Sequence, residues 1–193
     1  IECTAMATRY LGPSIDIHGG GYDLIFPHHE CEIAQSENAT GIEPFSRFWM
    51  HVAMVNYEGE KMSKSLGNLV LASELLKQYS PDAIRLYLFS HHYRATWEFM
   101  DNEMAEWAHR AARLREAVER ESGDAASDID VATCREAFLA EMDRDLYTPA
   151  AIGALTALAD AIHAAPHDAC VGEAQDTLRE LGGILGLTFQ PAP

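Results

Sequence analysis

The chain has 193 residues, and its formal net charge is −16 because 30 acidic residues outnumber 14 basic ones. Such acidity argues against a general nucleic-acid binder, which would be basic, but leaves room for an enzyme that contacts RNA through a local basic patch. The apolar fraction of 48% is typical of a globular protein. No apolar run approaches the roughly 18 residues of a membrane span, so we expect no membrane partner.

The first ten residues, IECTAMATRY, contain no basic region followed by an apolar stretch. We therefore expect no signal peptide and a cytoplasmic protein. The chain begins with Ile rather than Met, which favours a piece of a longer polypeptide. Its four cysteines are widely spaced without a CxxC pair, so we expect them to be reduced. We expect Cys31 to be a small buried residue rather than a metal ligand.

A candidate metal site lies where a strand at 15–18 runs through three glycines into a helix that we expect to begin at Pro27. His28 and Glu32 are four residues apart, so both would project from one helix face. Cys3 lies upstream, and thiolate, imidazole and carboxylate are all zinc ligands. A solvated His–Glu pair is the simpler interpretation of these two residues alone, because short motifs often match by chance.

The glycine run itself is framed by polar side chains, Asp16, His18 and Asp23. Ligands of open α/β sheets bind beyond the carboxyl ends of strands, where glycine lets a backbone come close. The framing side chains can bond an amine, a ribose or a phosphate. The sequence therefore favours a small-molecule site here, although three glycines in a row are a weak signal by themselves.

Residues 48–57 are expected to form one buried strand, and a turn leads from it into Lys61-Met62-Ser63-Lys64-Ser65. Two lysines in a mobile loop can place ammonium groups on a polyphosphate, where charge-assisted bonds are strong. A solvated basic turn is the alternative for this segment.

Helical patterns dominate the remainder of the chain. A serine cap followed by proline opens a helix at residue 81, and an apolar stripe recurs at helical spacing from residue 101 to 118. Further helices are predicted near 131–143, 149–164 and 170–185. Short connections between them favour an antiparallel bundle, with a domain boundary near 98–101.

Three stretches in this order resemble the cysteinyl-tRNA synthetases: IECTAM, DIHGGGYDLIFPHHECEIAQSE and EGEKMSKSLGN. The likeness continues through SPDAIRLYLFSHHYR and, more loosely, MDRDLYTPAAIGAL. It implies an α/β fold in which residues 1–98 are the second half of a Rossmann-like class I catalytic domain with its stem-contact region. Residues 99–193 would be an antiparallel α-helical bundle. The family's N-terminal half with its HIGH-type motif, and its anticodon-binding domain, have no counterpart here.

The same resemblance implies roles for individual residues. The zinc ligands would be Cys3, His28 and Glu32, and a fourth cysteine ligand of the family is absent. Lys64 would be the ATP-binding lysine, and Lys61 would assist it in catalysis. The residues expected to line the ATP and aminoacyl-adenylate pocket are His18, Gly20, Gly21 and Asp23 from the glycine segment, with Met54 and Val55 from the adenine-contacting strand.

The activity implied for the intact enzyme is ATP-dependent activation of L-cysteine, with Mg²⁺, to cysteinyl-adenylate, followed by transfer to tRNA(Cys). Zinc serves selection, because a pocket built on size separates cysteine from serine by only about 1–3 kcal/mol, whereas zinc binds a thiolate directly. We expect the isolated chain to be inactive without a partner that supplies the N-terminal half.

Two alternatives remain open at this point. The cysteine ligase of mycothiol biosynthesis, which joins cysteine to glucosaminyl-inositol, shares the glycine and KMSKS segments, and the resemblance implies that Glu32 separates the two enzymes. The chain could also be a noncatalytic fragment or binding module.

Two further histidines have open roles. His29 could line the pocket or pack against the sheet, and His51 is expected to be structural.

Overall fold

The structure is a computed structural model that describes residues 1–63 and 66–192. Cα packing divides it into two units. The first contains Ile1–Lys61 with Tyr93–Glu98, and the second contains Met62–His92 with the chain from Phe99 onward. Residues 62–92, which the sequence analysis placed in the first domain, therefore pack with the helical unit. The predicted division at residue 98 stays a prediction, since it concerns family domains rather than compactness.

The first unit is built on a parallel pair of strands, β1 (Ile15–Gly21) and β2 (Ser46–Val52). Helix α1 (Glu2–Leu11) precedes β1, and α2 (Glu30–Thr40) crosses over between the two strands. The register places His18 opposite Trp49 and Gly20 opposite His51. Parallel strands require such a crossover, and it places the start of α2 just after the glycine run.

The chain takes an irregular path from β1 into α2. A 3₁₀ turn (Tyr22–Leu24) is followed by a π-helical turn (Ile25–His29), within which Phe26 is extended. The helix predicted to begin at Pro27 therefore begins three residues later, at Glu30. His28 consequently lies on the irregular turn and Glu32 on the first turn of the helix.

The predicted strand at 48–57 is two strands belonging to different sheets. After β2 ends, Ala53 N–H donates to the Tyr93 carbonyl (2.8 Å), and Met54 O accepts from Trp97 N–H (3.4 Å). These bonds draw the chain away from β1. The second sheet consists of β3 (Val55–Tyr57), β4 (Glu60–Lys61) and β5 (Trp97–Glu98). Strand β3 is central, antiparallel to β4 and parallel to β5.

The second unit is helical. Its helices are α3 (Ala72–Leu75), α4 (Pro81–Phe89), α5 (Asp101–Glu119), α6 (Val131–Asp143), α7 (Thr148–Ala164) and α8 (Gly172–Ile184). The bounds of α6, α7 and α8 agree with prediction to within two residues. The predicted cap at Ser80 is present, since its Oγ accepts the Ala83 N–H (3.2 Å). None of the helices described is long and apolar enough to cross a membrane.

Apolar burial stabilises the helical unit. Four residues of the predicted α5 stripe are buried (Met104, Ala111, Leu114 and Val118), together with fully buried side chains from the neighbouring helices, among them Phe138, Leu155, Ile162 and Leu178. Asp82, on the first turn of α4, binds the backbone of residues 188–189. Its carboxylate accepts the backbone N–H groups of Thr188 (3.0 Å) and Phe189 (2.6 Å).

Tyr87 on α4 is a buried phenol in this core. It is 1% exposed, its ring packs edge-on against Phe99, and its hydroxyl accepts the Met100 N–H at 2.8 Å. Burial disfavours the phenolate and raises the pKa of Tyr87 to about 12.

This raised pKa predicts alkaline destabilisation. An unfolded tyrosine loses its proton near pH 10, so the stabilisation from neutral Tyr87 is complete below that pH and is lost as the pH rises to about 12. Denaturant unfolding at several pH values, compared between the parent chain and Tyr87→Phe, isolates this contribution. The variant should lose about 1 kcal/mol at pH 8, where Met100 N–H loses its acceptor, and the gap should narrow above pH 10. If the free energy of unfolding changed with pH in the same way in the parent chain and in Tyr87→Phe, the predicted contribution of Tyr87 would be ruled out. Tyr147→Phe serves as the control, because Tyr147 is more exposed.

Candidate metal centre and nucleotide pocket

Three side chains predicted as metal ligands converge in the first unit. Cys3 comes from the first turn of α1, His28 from the π-helical turn and Glu32 from the first turn of α2. One ligand atom from each lies within 4.8 Å of the others. Cys3 and His28 are exposed, whereas Glu32 is only 3% exposed. The trio is thus anchored by a buried carboxylate and open to solvent through the other two residues.

The geometry of this trio fits a zinc ion. Tetrahedral zinc lies about 2.0–2.3 Å from its ligands and separates them by roughly 3.4–3.6 Å. His28 Nε2 and Glu32 Oε2 are 3.6 Å apart. Since no separation in the trio exceeds 4.8 Å, the ligand atoms would have to approach one another by at most about 1 Å on binding. Glu32 Oε1 is buried without a hydrogen-bond partner among the described residues. A buried carboxylate oxygen without a partner is costly, so the site has an acceptor ready for a cation.

His18 lies at the same carboxylate, at a distance that indicates a different contact. Its Nε2 is 2.7 Å from Glu32 Oε2, which is a hydrogen-bond distance. The sequence analysis placed His18 in the adenylate pocket. In the structure its polar contact is Glu32, and its ring packs against those of Trp49 and His29 at 4.8 Å each.

His29 and His51 form a second imidazole contact beside the trio. His29 Nδ1 is 2.8 Å from His51 Nε2, and the two residues belong to the π-helical turn and to β2. His29 is 4% exposed. Burial lowers its pKa, and the nearby imidazoles of His18 and His51 lower it further. The buried imidazole is therefore held in its neutral form.

Two further aromatic side chains of β2 contact this cluster of rings: Trp49, which was not selected from the sequence, and His51, which was expected to be structural. Their rings are stacked within 3° of parallel, with centroids 6.1 Å apart. The available signal was their alternation on β2, since residues two apart on a strand share one face. That face is the one occupied by His18 on the paired strand.

The glycines make room for protein side chains. A Cβ on Gly20 would lie 2.8 Å from His29 Cε1, and one on Gly21 would lie 2.6 Å from Asp23 Oδ1 and 2.9 Å from Met54 Cε. Any larger residue would displace these groups. The sequence analysis had assigned the close approach to a ligand, whereas the contacts at the Cβ positions come from His29, Asp23 and Met54.

Asp23 and Lys61 form an ion pair in the first unit. Lys61 Nζ donates to Asp23 Oδ2 at 2.6 Å, and both side chains are about half exposed (50% and 51%). The hydrogen bond from Lys61 lowers the pKa of Asp23, so the carboxylate is ionised at neutral pH. Lys64, the other lysine of the motif, lies outside the described residues.

A cavity of about 270 Å³ adjoins this pair. Asp23 and Met54 line it, and Val55 follows on β3, where it pairs with Trp97. The assignment of these three residues to a nucleotide pocket stays a prediction. Arg94, which the sequence analysis did not select, lines the same cavity. Its guanidinium lies 4.9 Å from the Tyr93 ring centroid, a cation–π distance.

Cys31 was predicted to be a small buried residue, and this prediction is wrong. It is exposed, because the face of α2 that carries it points to solvent while the face carrying Glu32 and Ser36 is buried. An exposed thiol between the two candidate ligands gives a matched control for Cys3.

Comparisons with known proteins match the whole chain. The family model described as tRNA synthetases class I (C) catalytic domain matches residues 1–109, and the DALR domain model matches residues 137–190. A cysteine–tRNA ligase of Dehalococcoides mccartyi is 44% identical over 192 residues, which are 98% of this chain and 42% of that protein. The chain therefore spans about two fifths of the length of this curated relative.

Two other matches bear on fold and specificity. An L-cysteine:1D-myo-inositol 2-amino-2-deoxy-alpha-D-glucopyranoside ligase of Thermobispora bispora is 46% identical over 186 residues, covering 95% of this chain and 44% of that protein. The Agrobacterium radiobacter K84 LeuRS, in a ternary complex with tRNA and LeuAMS, has a TM-score of 0.62 at 20% identity, covering 94% of this chain and 28% of that one. The latter likeness supports the fold alone.

The trio predicts that Cys3, and not Cys31, determines metal content. We expect Cys3→Ser to lose most bound zinc, since a hydroxyl is a far weaker zinc ligand than a thiolate, and Cys31→Ser to keep it. Elemental analysis of the purified variants after dialysis measures both. Full zinc occupancy in Cys3→Ser, or equal loss in the two variants, would remove Cys3 from the site.

Proposed function

The chain belongs to the class I tRNA synthetase (C) family, and on that premise we propose that it is the cysteine-selecting part of a cysteine–tRNA ligase. In the complete protein, ATP with Mg²⁺ and L-cysteine give cysteinyl-adenylate, and the cysteinyl group passes to tRNA(Cys) in the cytoplasm. The observation that supports this most strongly is the convergence of Cys3, His28 and Glu32, where one buried carboxylate oxygen has no hydrogen-bond partner in the described part of the chain.

Zinc is the cofactor proposed for this trio. When bound, it supplies a soft cation that takes a substrate thiolate directly, which serine cannot match. The chain's own residues hold the ion with one sulfur, one imidazole and one carboxylate, and two of the three face solvent. A catalytic zinc site keeps a position open for substrate, and the exposed side of the trio provides the access.

The activation step uses charge and position more than covalent help from the protein. A carboxylate oxygen of cysteine attacks the α-phosphorus of ATP, the bond from that phosphorus to the bridging oxygen breaks, and pyrophosphate leaves with its electron pair. Lys61 and Lys64 offset charge on the leaving group. Asp23 accepts hydrogen bonds from the substrate amine or the ribose, in place of its present bond from Lys61.

The partner of the first unit in the complete protein is the N-terminal half of the nucleotide fold. This proposal is supported by the apolar residues that the two-stranded sheet leaves exposed. Ile17 and Phe48 lie opposite each other in the register and are 66% and 63% exposed. Adjacent exposed apolar side chains on a sheet indicate a covered surface.

The cysteine ligase acting on an amino sugar is the second candidate, because the Thermobispora relative is as similar to this chain as the cysteine–tRNA ligases are. We favour the tRNA ligase on Glu32. The structure buries this carboxylate in the metal trio, whereas the resemblance implies that the amino-sugar ligases lack it. The two candidate functions therefore differ in the molecule that accepts the cysteinyl group, which is tRNA in one and the amino sugar in the other.

A hybrid enzyme tests the proposal. The segment of the Dehalococcoides relative that matches this chain is replaced by the chain itself, and the relative supplies the remainder. We expect cysteine-dependent ATP–pyrophosphate exchange, little exchange with serine, and transfer to tRNA(Cys) rather than to glucosaminyl-inositol. A folded, zinc-containing hybrid that lacks this exchange, or that uses the amino sugar instead, would contradict the proposal. The unaltered relative is the positive control.

Lys61→Met in the hybrid separates chemistry from cysteine binding. Removing one hydrogen-bond donor that stabilises transition-state charge costs about 10²–10³-fold in kcat, and we expect a loss of this order without a change in the KM for cysteine. Lys77→Met is the matched control, because Lys77 is an exposed lysine paired with Glu74. An equal effect of the two substitutions would show that Lys61 has no specific role.

A further inference from the structure

The two oxygens of Glu32 lie in different environments. Oε2 is 2.7 Å from His18 Nε2, while Oε1 is buried and lacks a hydrogen-bond partner among the described residues. The side chain as a whole is 3% exposed. A buried carboxylate can rotate about its last bond unless one oxygen is held, so the contact with His18 fixes the plane in which the other oxygen is presented.

Distances distinguish the two histidines that contact Glu32. His28 Nε2 is 3.6 Å from Oε2, close to the roughly 3.4 Å that separates two ligands of one zinc ion. The 2.7 Å from His18 is too short for an ion to lie between the atoms, and it is the length of a charge-assisted hydrogen bond. His28 is thus placed as a ligand, and His18 as a donor to a ligand.

The ring of His18 is held by its surroundings. It packs edge-on against Phe45 (5.7 Å between centroids, 72° between planes) and against Trp49 (4.8 Å, 61°). The side chain is 21% exposed, and its backbone is paired with β2 at Trp49. A donor on a paired strand between two aromatic rings has little freedom to follow Glu32, so it sets the orientation of the carboxylate.

We propose that His18 is a positioning residue, whose Nε2–H holds the Glu32 carboxylate in the orientation that receives the metal ion. This inference rests on the zinc site proposed above. His18, His29 and Glu32 also place ligand atoms within 4.8 Å of one another, and the proposal makes this inner trio a support for the Cys3 trio rather than a second metal site.

The consequence for specificity is direct. Partners of metal ligands orient the ligands and typically change metal affinity by about 10- to 100-fold when removed. His18 therefore tunes the ion that selects cysteine. The place of His18 in the adenylate pocket, implied by the resemblance, stays a prediction.

The test measures zinc affinity in the chain by competition with a chelator. His18→Leu should bind zinc about 10- to 100-fold more weakly. His18→Gln should recover much of the loss, since its amide can donate from a similar reach. His51→Leu is the matched control, because His51 contacts His29 rather than Glu32, and its zinc affinity should stay within about twofold of the parent.

Cobalt substitution adds a readout that simple loss of packing would not produce. In the parent and in His18→Gln, one equivalent of Co²⁺ should bind with a sulfur-to-cobalt charge-transfer band from Cys3. In His18→Leu the same band should appear at higher metal concentration with altered ligand-field bands, while thermal unfolding of the metal-free chain shows whether the fold is retained.

Several results would overturn the inference. Equal zinc affinity in His18→Leu and the parent would show that His18 does not position Glu32, while leaving the Cys3 site intact. Two bound equivalents, the second without a sulfur band and lost in His29→Leu, would make the inner trio a metal site of its own. Failure of the parent chain to bind zinc would remove the proposed site and this inference together.

Discussion

A carboxylate that the fold buries is the constraint on which the first unit depends. Glu32 is 3% exposed, and burying an ionised group without compensation costs several kcal/mol. The compensation visible in the structure is partial. His18 donates to one oxygen, and the first turn of α2 offers the favourable end of the helix dipole. Within residues 1–63 and 66–192, no group donates a hydrogen bond to the other oxygen. A cation at this position would complete the arrangement, and Cys3 and His28 lie where they would share it as ligands.

The glycine run is the feature of the backbone that makes this arrangement possible. Gly20 leaves space for His29, and Gly21 leaves space for Asp23 and Met54. The end of β1 thereby adjoins two candidate sites, with imidazoles near the Cys3 trio and the Asp23–Lys61 pair beside the 270 Å³ cavity. The proposed metal site and the proposed nucleotide site therefore depend on the same short segment between β1 and α2.

Sequence reasoning predicted the parts that local rules control. Helical periodicity gave α6, α7 and α8 closely, and the spacing of His28 and Glu32 placed them on neighbouring turns even though α2 begins later than expected. The features that sequence reasoning did not predict depend on hydrogen bonds and contacts between residues far apart in the chain. The bonds of residues 53 and 54 to the segment 93–97 split one predicted strand into two. The contact between His18 and Glu32 likewise follows from the packing of β1 on α2. The exposure of Cys31 depended on which face of α2 meets the sheet.

Zinc K-edge X-ray absorption on the purified chain identifies the ligands of the ion. We expect one bound zinc whose neighbours are a single sulfur at about 2.3 Å with nitrogen and oxygen at about 2.0–2.1 Å. A zinc shell without sulfur would disprove the proposed site, because the ion would then lie away from Cys3 and the proposed basis for choosing cysteine would be lost.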